Sequence, residues 1–334
     1  MSRAPFRSLL VFGSILMAST LAVAQTKTVR IGWIPAVGLI CPLSAVENTK
    51  SPNFKTELLS FRNSNEVLLA LNTGQLDMGL LGYSVAATAL TKGDVAGKFV
   101  AGATSGTTSM VVAAKTGITS WKELKGKTVG GVRGSSEYTA MENAISASGL
   151  KLGSDPKFVN FQSSTDIMVA LRNGDIDAAA SFEPAIAIAV AAGFVKRAPE
   201  MTRTLFSSTY SISVGWMASN DLLRTQEGQD AVVSVLKTYV SDCQRLKNNP
   251  GQAIDLYTKY QTGNREVLQD AFKSISHGLV WDIPMKEVQV IPKYVPGVEP
   301  QQVPELTKKL TALVDYGPLQ KATGQSAEQL GALK

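Results

Sequence analysis

The chain has one histidine, His277, and two cysteines, Cys41 and Cys243, among 334 residues. A lone histidine removes the usual general base at neutral pH. Without clustered Cys/His spacing, no bound metal or other cofactor is expected. Aromatic residues make up 7% of the chain and charged residues 18%. There is no run of lysine or arginine interleaved with aromatics, the usual footprint of nucleic-acid binding, so no nucleic-acid partner is expected. The formal net charge, 33 − 27 = +6, is mild and favours anionic ligands only in a general way. Low-complexity tracts and disordered linkers are also missing. The apolar run Leu9–Met17 is too short to span a bilayer comfortably.

That run sits in a secretory pattern. Arg3 and Arg7 supply the charged start, and Ala22-Val23-Ala24 the small-residue cleavage site. Residues 1–24 therefore read as a signal peptide, and no cysteine follows that could carry a lipid anchor. Loss of two arginines and no acid lowers the charge to +4. A soluble, monomeric periplasmic protein is expected. That compartment permits a disulfide. Cys41 and Cys243 lie far apart in sequence, so a bridge and two buried thiols both stay open.

A repeat organises the rest. FRNSNEVLLALNTGQLD (61–77) reappears one hundred positions later as FQSSTDIMVALRNGDID (161–177), with six identities: Phe61/Phe161, Ser64/Ser164, Ala70/Ala170, Leu71/Leu171, Gly74/Gly174 and Asp77/Asp177. Each copy reads as a capped helix, a glycine stop and a buried strand. Ser64 or Asn65, and Ser164 or Thr165, are the expected N-caps. Gly74 and Gly174 suit the left-handed helix end. MGLLGY (78–83) and AAASFE (178–183) are poor in charge, as strands covered on both faces are. A helical run follows each, at Ser84–Leu90 and Pro184–Ala192. Asp77 and Asp177 fall at strand starts and read as structural.

Other strands are expected at Val29–Ile34, Glu57–Phe61, Lys98–Ala103, Met110–Ala114, Thr128–Val132, Lys157–Phe161 and Ser207–Ala218. After them come amphipathic helices at Gly228–Asn248, Pro250–Gln261 and Arg265–Ile275, an irregular stretch at 280–302, and closing helices at Pro304–Val314 and Leu319–Thr323. Alternating strands and helices point to mostly parallel sheets flanked by helices. The β-rich return at 207–218 makes the first lobe discontinuous: residues 26–107 plus 213–334, with the second lobe at 108–212. Two crossings, near Gly106–Val111 and Tyr210–Gly215, form the expected hinge.

In this order and spacing, VRIGWIP (29–35), LALNTGQLD (69–77), WKELKGKTV (121–129), Arg133–Ser136 with the helix ending Ser148-Gly149-Leu150, and LRNGDIDAAASFEP (171–184) resemble a known family. It is that of the periplasmic substrate-binding proteins of ABC importers for taurine, aliphatic sulfonates and nitrate. The resemblance implies a two-lobed α/β periplasmic binding protein type II fold, capture of a small solute by hinge closure, and delivery to a membrane permease with its ATPase. The first loop departs from the family pattern, with SPNFKTELLSF (51–61) in place of a glycine-rich run.

Ligands of open α/β sheets bind beyond the carboxyl ends of strands. That rule selects Trp33–Val37, Gly82-Tyr83-Ser84, Thr104–Thr108, Gly134-Ser135-Ser136 and Phe182-Glu183-Pro184. Ser135 and Ser136 open a helix whose N-terminus favours an anion; the competing reading is an ordinary cap. Glu183 sits in an apolar segment and suits an ammonium or hydroxyl group of the ligand, or else an ion pair with the protein itself. Thr107 and Thr108 offer hydroxyls to an oxyanion. Trp33, Tyr83 and Tyr210 are candidate aromatic walls, and Ser84 lies beside Tyr83. A small anionic or zwitterionic solute, a sulfonate such as taurine or a carboxylate, is the expected ligand. Catalysis is not expected: Gly82-Tyr83-Ser84-Val85-Ala86 lacks the last glycine of a nucleophile elbow, and the single histidine lies in the helical tail. A periplasmic sensor that presents the solute to a receptor is the rival non-catalytic reading.

Overall fold

The computed structural model describes residues 27–206 and 211–331. The signal-peptide reading and Tyr210 fall outside the described residues. The strands are β1 (Lys27–Trp33), β2 (Phe54–Ser60), β3 (Met78–Gly82), β4 (Gly97–Ser105), β5 (Thr108–Ala113), β6 (Thr128–Gly131), β7 (Lys157–Asn160), β8 (Ala178–Phe182), β9 (Val195–Arg197) and β10 (Ile212–Ser219). They form two five-stranded sheets, in the orders β2-β1-β3-β10-β4 and β7-β6-β8-β5-β9. Within each sheet, the fourth strand in that order runs against its neighbours and the pairings of the first three are parallel. Both sheets thus follow one plan, with β3 and β8 in equivalent third places.

The helices are α1 (Ile40–Asn48), α2 (Ser64–Asn72), α3 (Tyr83–Leu90), α4 (Ser136–Ala147), α5 (Ser164–Asn173), α6 (Ala185–Ala191), α7 (Pro199–Arg203), α8 (Asn220–Leu223), α9 (Gln226–Asn248), α10 (Pro250–Tyr257), α11 (Arg265–Ile275), α12 (Met285–Val290), α13 (Val303–Thr311) and α14 (Gly317–Thr323). The stretch 280–302, expected to be irregular, holds α12 and short 3-10 turns. None of the described helices is long and apolar enough to cross a membrane.

The repeat is structural. Asn63 caps α2 by accepting from the Glu66 amide, and Ser163 caps α5 by accepting from the Asp166 amide. Both caps lie one residue before the expected Ser64 and Ser164, because Ser64 and Ser164 already belong to the first turn. Gly74 and Gly174 take the positive φ values expected of them, 70° and 82°. Asp77 accepts from the Arg30 amide at 2.8 Å and from its guanidinium at 2.9 and 3.0 Å. Asp177 accepts from the equivalent Thr128 amide at 2.9 Å. Each aspartate ties the loop before its own strand to the neighbouring strand, Asp77 at the middle of β1 and Asp177 at the start of β6.

Strand burial explains the composition. Met110 and Val112 of β5 face one cluster with Leu124, Val129 and Met141. Val111 and Ala113 face the opposite one with Ile167, Leu171 and Ile186. A strand covered on both faces has no position for a charge. The first sheet shares one large core with the C-terminal helices, from Val29 to Leu330. There Cys41 of α1 and Cys243 of α9 are disulfide-bonded, with Cα atoms 4.8 Å apart across 202 positions of sequence.

The chain passes between sheets at residues 106–107 and again just before β10. Gly106 takes φ 63°, a turn that L side chains resist. Its amide donates to the Ser211 carbonyl at 2.8 Å, and the Ser105 and Ser211 hydroxyls lie 2.7 Å apart. The two passages therefore run side by side.

Candidate functional site

The carboxyl ends of β1, β6 and β8 and the passage from β4 to β5 line a partly open cavity of about 60 Å³. As roughly 10–15 Å³ suffices for one water, this is room for a few waters or one small solute. Its apolar lining includes Ile34, Leu39, Val132, Phe182, Val214 and Ile275. Its polar lining comprises Asn63, Ser64, Thr104, Thr107, Thr108, Ser135, Ser213, Glu137 and Glu183. A mostly apolar concavity with a few convergent polar groups is the usual form of a small-molecule site.

Bonds between the two halves close it. The Val37 amide donates to the Glu183 carbonyl at 3.1 Å. The Asn63 side-chain amide donates to the Gln162 carbonyl at 3.2 Å, and the Ser84 hydroxyl to Ser136 Oγ at 3.1 Å. A Cβ on Gly82 would lie 2.0 Å from Ser136 Oγ, so the close approach of α3 to α4 needs glycine there. An outer hollow lined by Asn65, Arg133, Asn160 and Gln162 shares Asn63 and Val132 with the cavity and marks its mouth.

Of the residues expected from sequence, Thr107, Thr108, Ser135 and Glu183 line the cavity. Ser84 and Ser136 sit behind it, bonded to each other as an inter-lobe bridge. Trp33 and Tyr83 are corrections. Trp33 is buried, donates from Nε1 to the Leu39 carbonyl at 3.2 Å and meets Tyr257 and Tyr260 edge-on. Tyr83 is buried and stacks on Phe99, with centroids 4.1 Å apart; burial pushes its phenol well above the usual range. Both are core; of their neighbours, Ile34 lines the cavity. His277 is exposed.

Two acids line the site, and their environments differ. Glu183 is 2% exposed and forms an ion pair through Oε1 with Arg197, while Oε2 accepts from the Ala187 amide at 3.0 Å. Its charge is matched from within the second half. Glu137, in the first turn of α4, was not singled out from the sequence. Burial pushes its carboxyl above the usual range, partly offset by hydrogen bonds from its own amide and from Ser135. Ser135 caps the same helix by accepting from the Tyr138 amide at 3.1 Å. The Arg133 guanidinium instead lies over the Tyr138 and Phe158 rings, 5.5 and 4.9 Å from their centroids.

Asn63 and Ser64 also escaped sequence reasoning, although they open a repeat helix aimed at the cavity. The equivalent position Ser164 accepts from Ser181 at 3.1 Å instead. Ile275 comes from α11, whose amphipathic pattern marks a buried face without telling what it covers.

Comparison with known proteins places this geometry. Residues 50–253 match a family described as ABC transporter, phosphonate, periplasmic substrate-binding protein. No curated protein sequence matches. The alkanesulfonate-binding protein SsuA from Xanthomonas axonopodis, bound to MOPS, is 17% identical and superposes with a TM-score of 0.70, over 87% of this chain and 99% of that one. The aliphatic sulphonate binding protein SsuA from Escherichia coli is 20% identical, with a TM-score of 0.66 over 89% of this chain and 92% of that one. The nitrate-binding protein NrtA from Synechocystis is 10% identical, with a TM-score of 0.73 over 92% of this chain and 91% of that one. At these identities the structures establish the fold, two α/β halves of the periplasmic binding protein type. The matched segment spans more than half of the chain, which therefore belongs to the family of periplasmic substrate-binding components of phosphonate-type ABC transporters.

Proposed function

We propose that the mature chain captures a small organic oxyanion or zwitterion, of the sulfonate, phosphonate, nitrate or carboxylate type, and hands it to an ABC permease as a monomer. The lobes are residues 26–107 with 213–334, and 108–212, and they rock about the paired passages near Gly106 and Ser211. The observation that carries this reading is the cavity at the carboxyl ends of strands from both sheets, lined by hydroxyls from each half. The solutes named for the family and the compared structures share compact oxyanion groups. Hydroxyl and amide donors from two lobes suit such a group, and closure is selected by whichever solute engages both. Export through the N-terminal signal accounts for a periplasmic address. A non-catalytic role is supported by the family match, whose members are described as substrate-binding components of transporters.

The test is a thermal-shift screen of the mature protein with sulfonates, phosphonates, carboxylates and nitrate. A ligand at a hundred times its Kd should stabilise by about 2.7 kcal/mol, a shift of several degrees. A shift confined to one class supports capture of that class. Silence across all four, with no copurified solute found by mass spectrometry of the denatured protein, would refute the oxyanion reading.

A further inference from the structure

We infer that Asn143 of α4 is a positioning residue for solute capture that acts from outside the cavity: its bond to the Tyr294 carbonyl latches the second lobe to the first and raises the affinity for every solute by one factor. This rests on the capture reading above and adds to it what holds the lobes together. Asn143 belongs to the lobe at 108–212, and Tyr294 to the lobe built from 26–107 and 213–334. The Asn143 side-chain amide donates to the Tyr294 carbonyl at 2.7 Å and to the Thr139 carbonyl of its own helix, also at 2.7 Å. Both hydrogens of that nitrogen are thus used, and the opposite orientation of the amide would set oxygen against two oxygens. One bond is local. The other crosses between the lobes.

Its place along α4 makes Asn143 a lever. Ser136 and Asn143 are seven positions apart, two helical turns, and so share a face. At 1.5 Å per residue they lie roughly 10 Å apart along the axis. Ser136 meets Ser84 behind the cavity; Asn143 meets Tyr294 farther out and is no part of the cavity lining. One face of α4 is therefore fastened to the first lobe at two levels. The acceptor is firmly held. Tyr294 ends the 3-10 turn Ile291–Tyr294, and Ile291 and Val295 are buried in the first core. The same segment carries Glu287 of α12, which accepts from the Ser211 and Ile212 amides at 2.5 and 2.8 Å, where the chain returns from the second lobe. Residues 287–294 thus tie both the return passage and α4 to one piece of the first lobe. Rotation about the passages moves α4 against Tyr294, so opening costs this bond whatever solute is held. Apparent affinity scales with the fraction of protein in the binding-competent state. The net worth of a neutral hydrogen bond corresponds to about 2- to 10-fold in that equilibrium.

Asn143→Ala removes the donor and keeps the helix, since alanine is the best helix former. Isothermal titration and stopped-flow mixing of the mature protein would use ethanesulfonate, ethylphosphonate, nitrate and acetate. Each probe that binds the wild type should bind the variant about 2- to 10-fold more weakly, by a common factor and through a faster off-rate, while the solute-free melting temperature moves little. Unchanged affinity would overturn the inference. So would a loss confined to one probe, which would put Asn143 against the solute, or a loss that tracks a lowered melting temperature, the mark of damaged packing. Closure is also read directly. Spin labels at Lys92→Cys and Lys151→Cys, exposed positions on opposite lobes, report the gap, because both native cysteines are bridged. Asn143→Ala should shift that distance distribution to longer values. A distribution identical to the wild type would overturn the inference even if no probe binds, an outcome that by itself refutes the capture reading instead.

Discussion

The two sheets share a strand plan but are held differently. The first is backed by one core that runs into seven C-terminal helices and is clamped by the Cys41–Cys243 bridge. The second has a thinner cluster on each face and no covalent tie. The repeats show the same asymmetry. After β3 the chain enters α3 at once and buries Tyr83 in the core. After β8 it passes through Glu183-Pro184 first, and Phe182 and Glu183 reach the cavity. One supersecondary unit thus serves as scaffold in one half and as binding wall in the other. What separates the uses is the pair of residues between strand and helix.

The largest test of this contrast is the bridge. A closed loop of 202 positions corresponds to about 5 kcal/mol on chain-entropy grounds, the upper end of what disulfides supply. Reduction, or Cys41→Ser with Cys243→Ser, should lower the melting temperature by about 10 °C, while the melting of the second half, followed by hydrogen exchange at β5 and β8, stays put. Loss of protection in both halves together would show that they unfold as one unit.

Next come the paired glycines, Gly32 of β1 and Gly130 of β6. A Cβ on Gly130 would meet Ile176 at 2.5 Å and Phe161 at 2.8 Å; on Gly32 it would meet Leu76 at 2.5 Å but Phe61 only at 3.4 Å. A leucine tip can swing aside where a packed ring cannot. Gly130→Ala should therefore cost about 1–3 kcal/mol and Gly32→Ala less than about 1 kcal/mol, read from urea midpoints. Equal costs would mean that the two strand–helix contacts are equally soft.

The aspartates give a smaller and opposite difference. Asp77 holds an amide and a guanidinium, Asp177 an amide. Arg30 is 37% exposed, so its charge is screened. Asp77→Asn should cost about 1–2 kcal/mol and Asp177→Asn about 0.5–1.5 kcal/mol, again from chemical denaturation. The ranking fails if Asp177→Asn is the costlier.

The smallest effect concerns pH and the α1–α9 clamp. Burial raises the Asp242 carboxyl, but hydrogen bonds from Asn48, Ser44 and Arg245 outweigh it and hold the group below its ordinary value. A depressed carboxyl stabilises above its unfolded pKa and loses that contribution as pH falls through the folded one. Asp242→Asn should lower the melting temperature slightly at pH 7 and flatten its decline below about pH 4, where the wild type loses the same contribution. An unchanged acid limb would remove Asp242 from the account.

The repeat, nine of the ten strands and most longer helices were legible because apolar period and glycine stops act locally; β9, α7, α8 and α12 are too short to show a period. The capping positions slipped by one because Asn63 and Ser163 stand beside residues that cap equally well. The bridge was open because closing it depends on α1 meeting α9, which no local pattern encodes. At the site, Thr107, Thr108, Ser135 and Glu183 followed from the carboxyl-end rule. The same rule also selected Trp33 and Tyr83, which lie in the core, since a large ring is buried in either case and sequence does not tell core from wall. Glu137 was missed because an acid in a first helical turn has an ordinary explanation.

The reversed strand in the first sheet, β10, sits between β3 and β4 although it is made last. Every strand of the second sheet lies between Thr108 and Arg197. As the chain emerges end-first, the second half can finish its sheet while β3 and β4 still lack the partner that joins them. The order of assembly is therefore the reverse of the order of synthesis. The N-terminal half remains an open template with two bare edges until Ser219 has left the ribosome, and it is this half that a chaperone would need to shield.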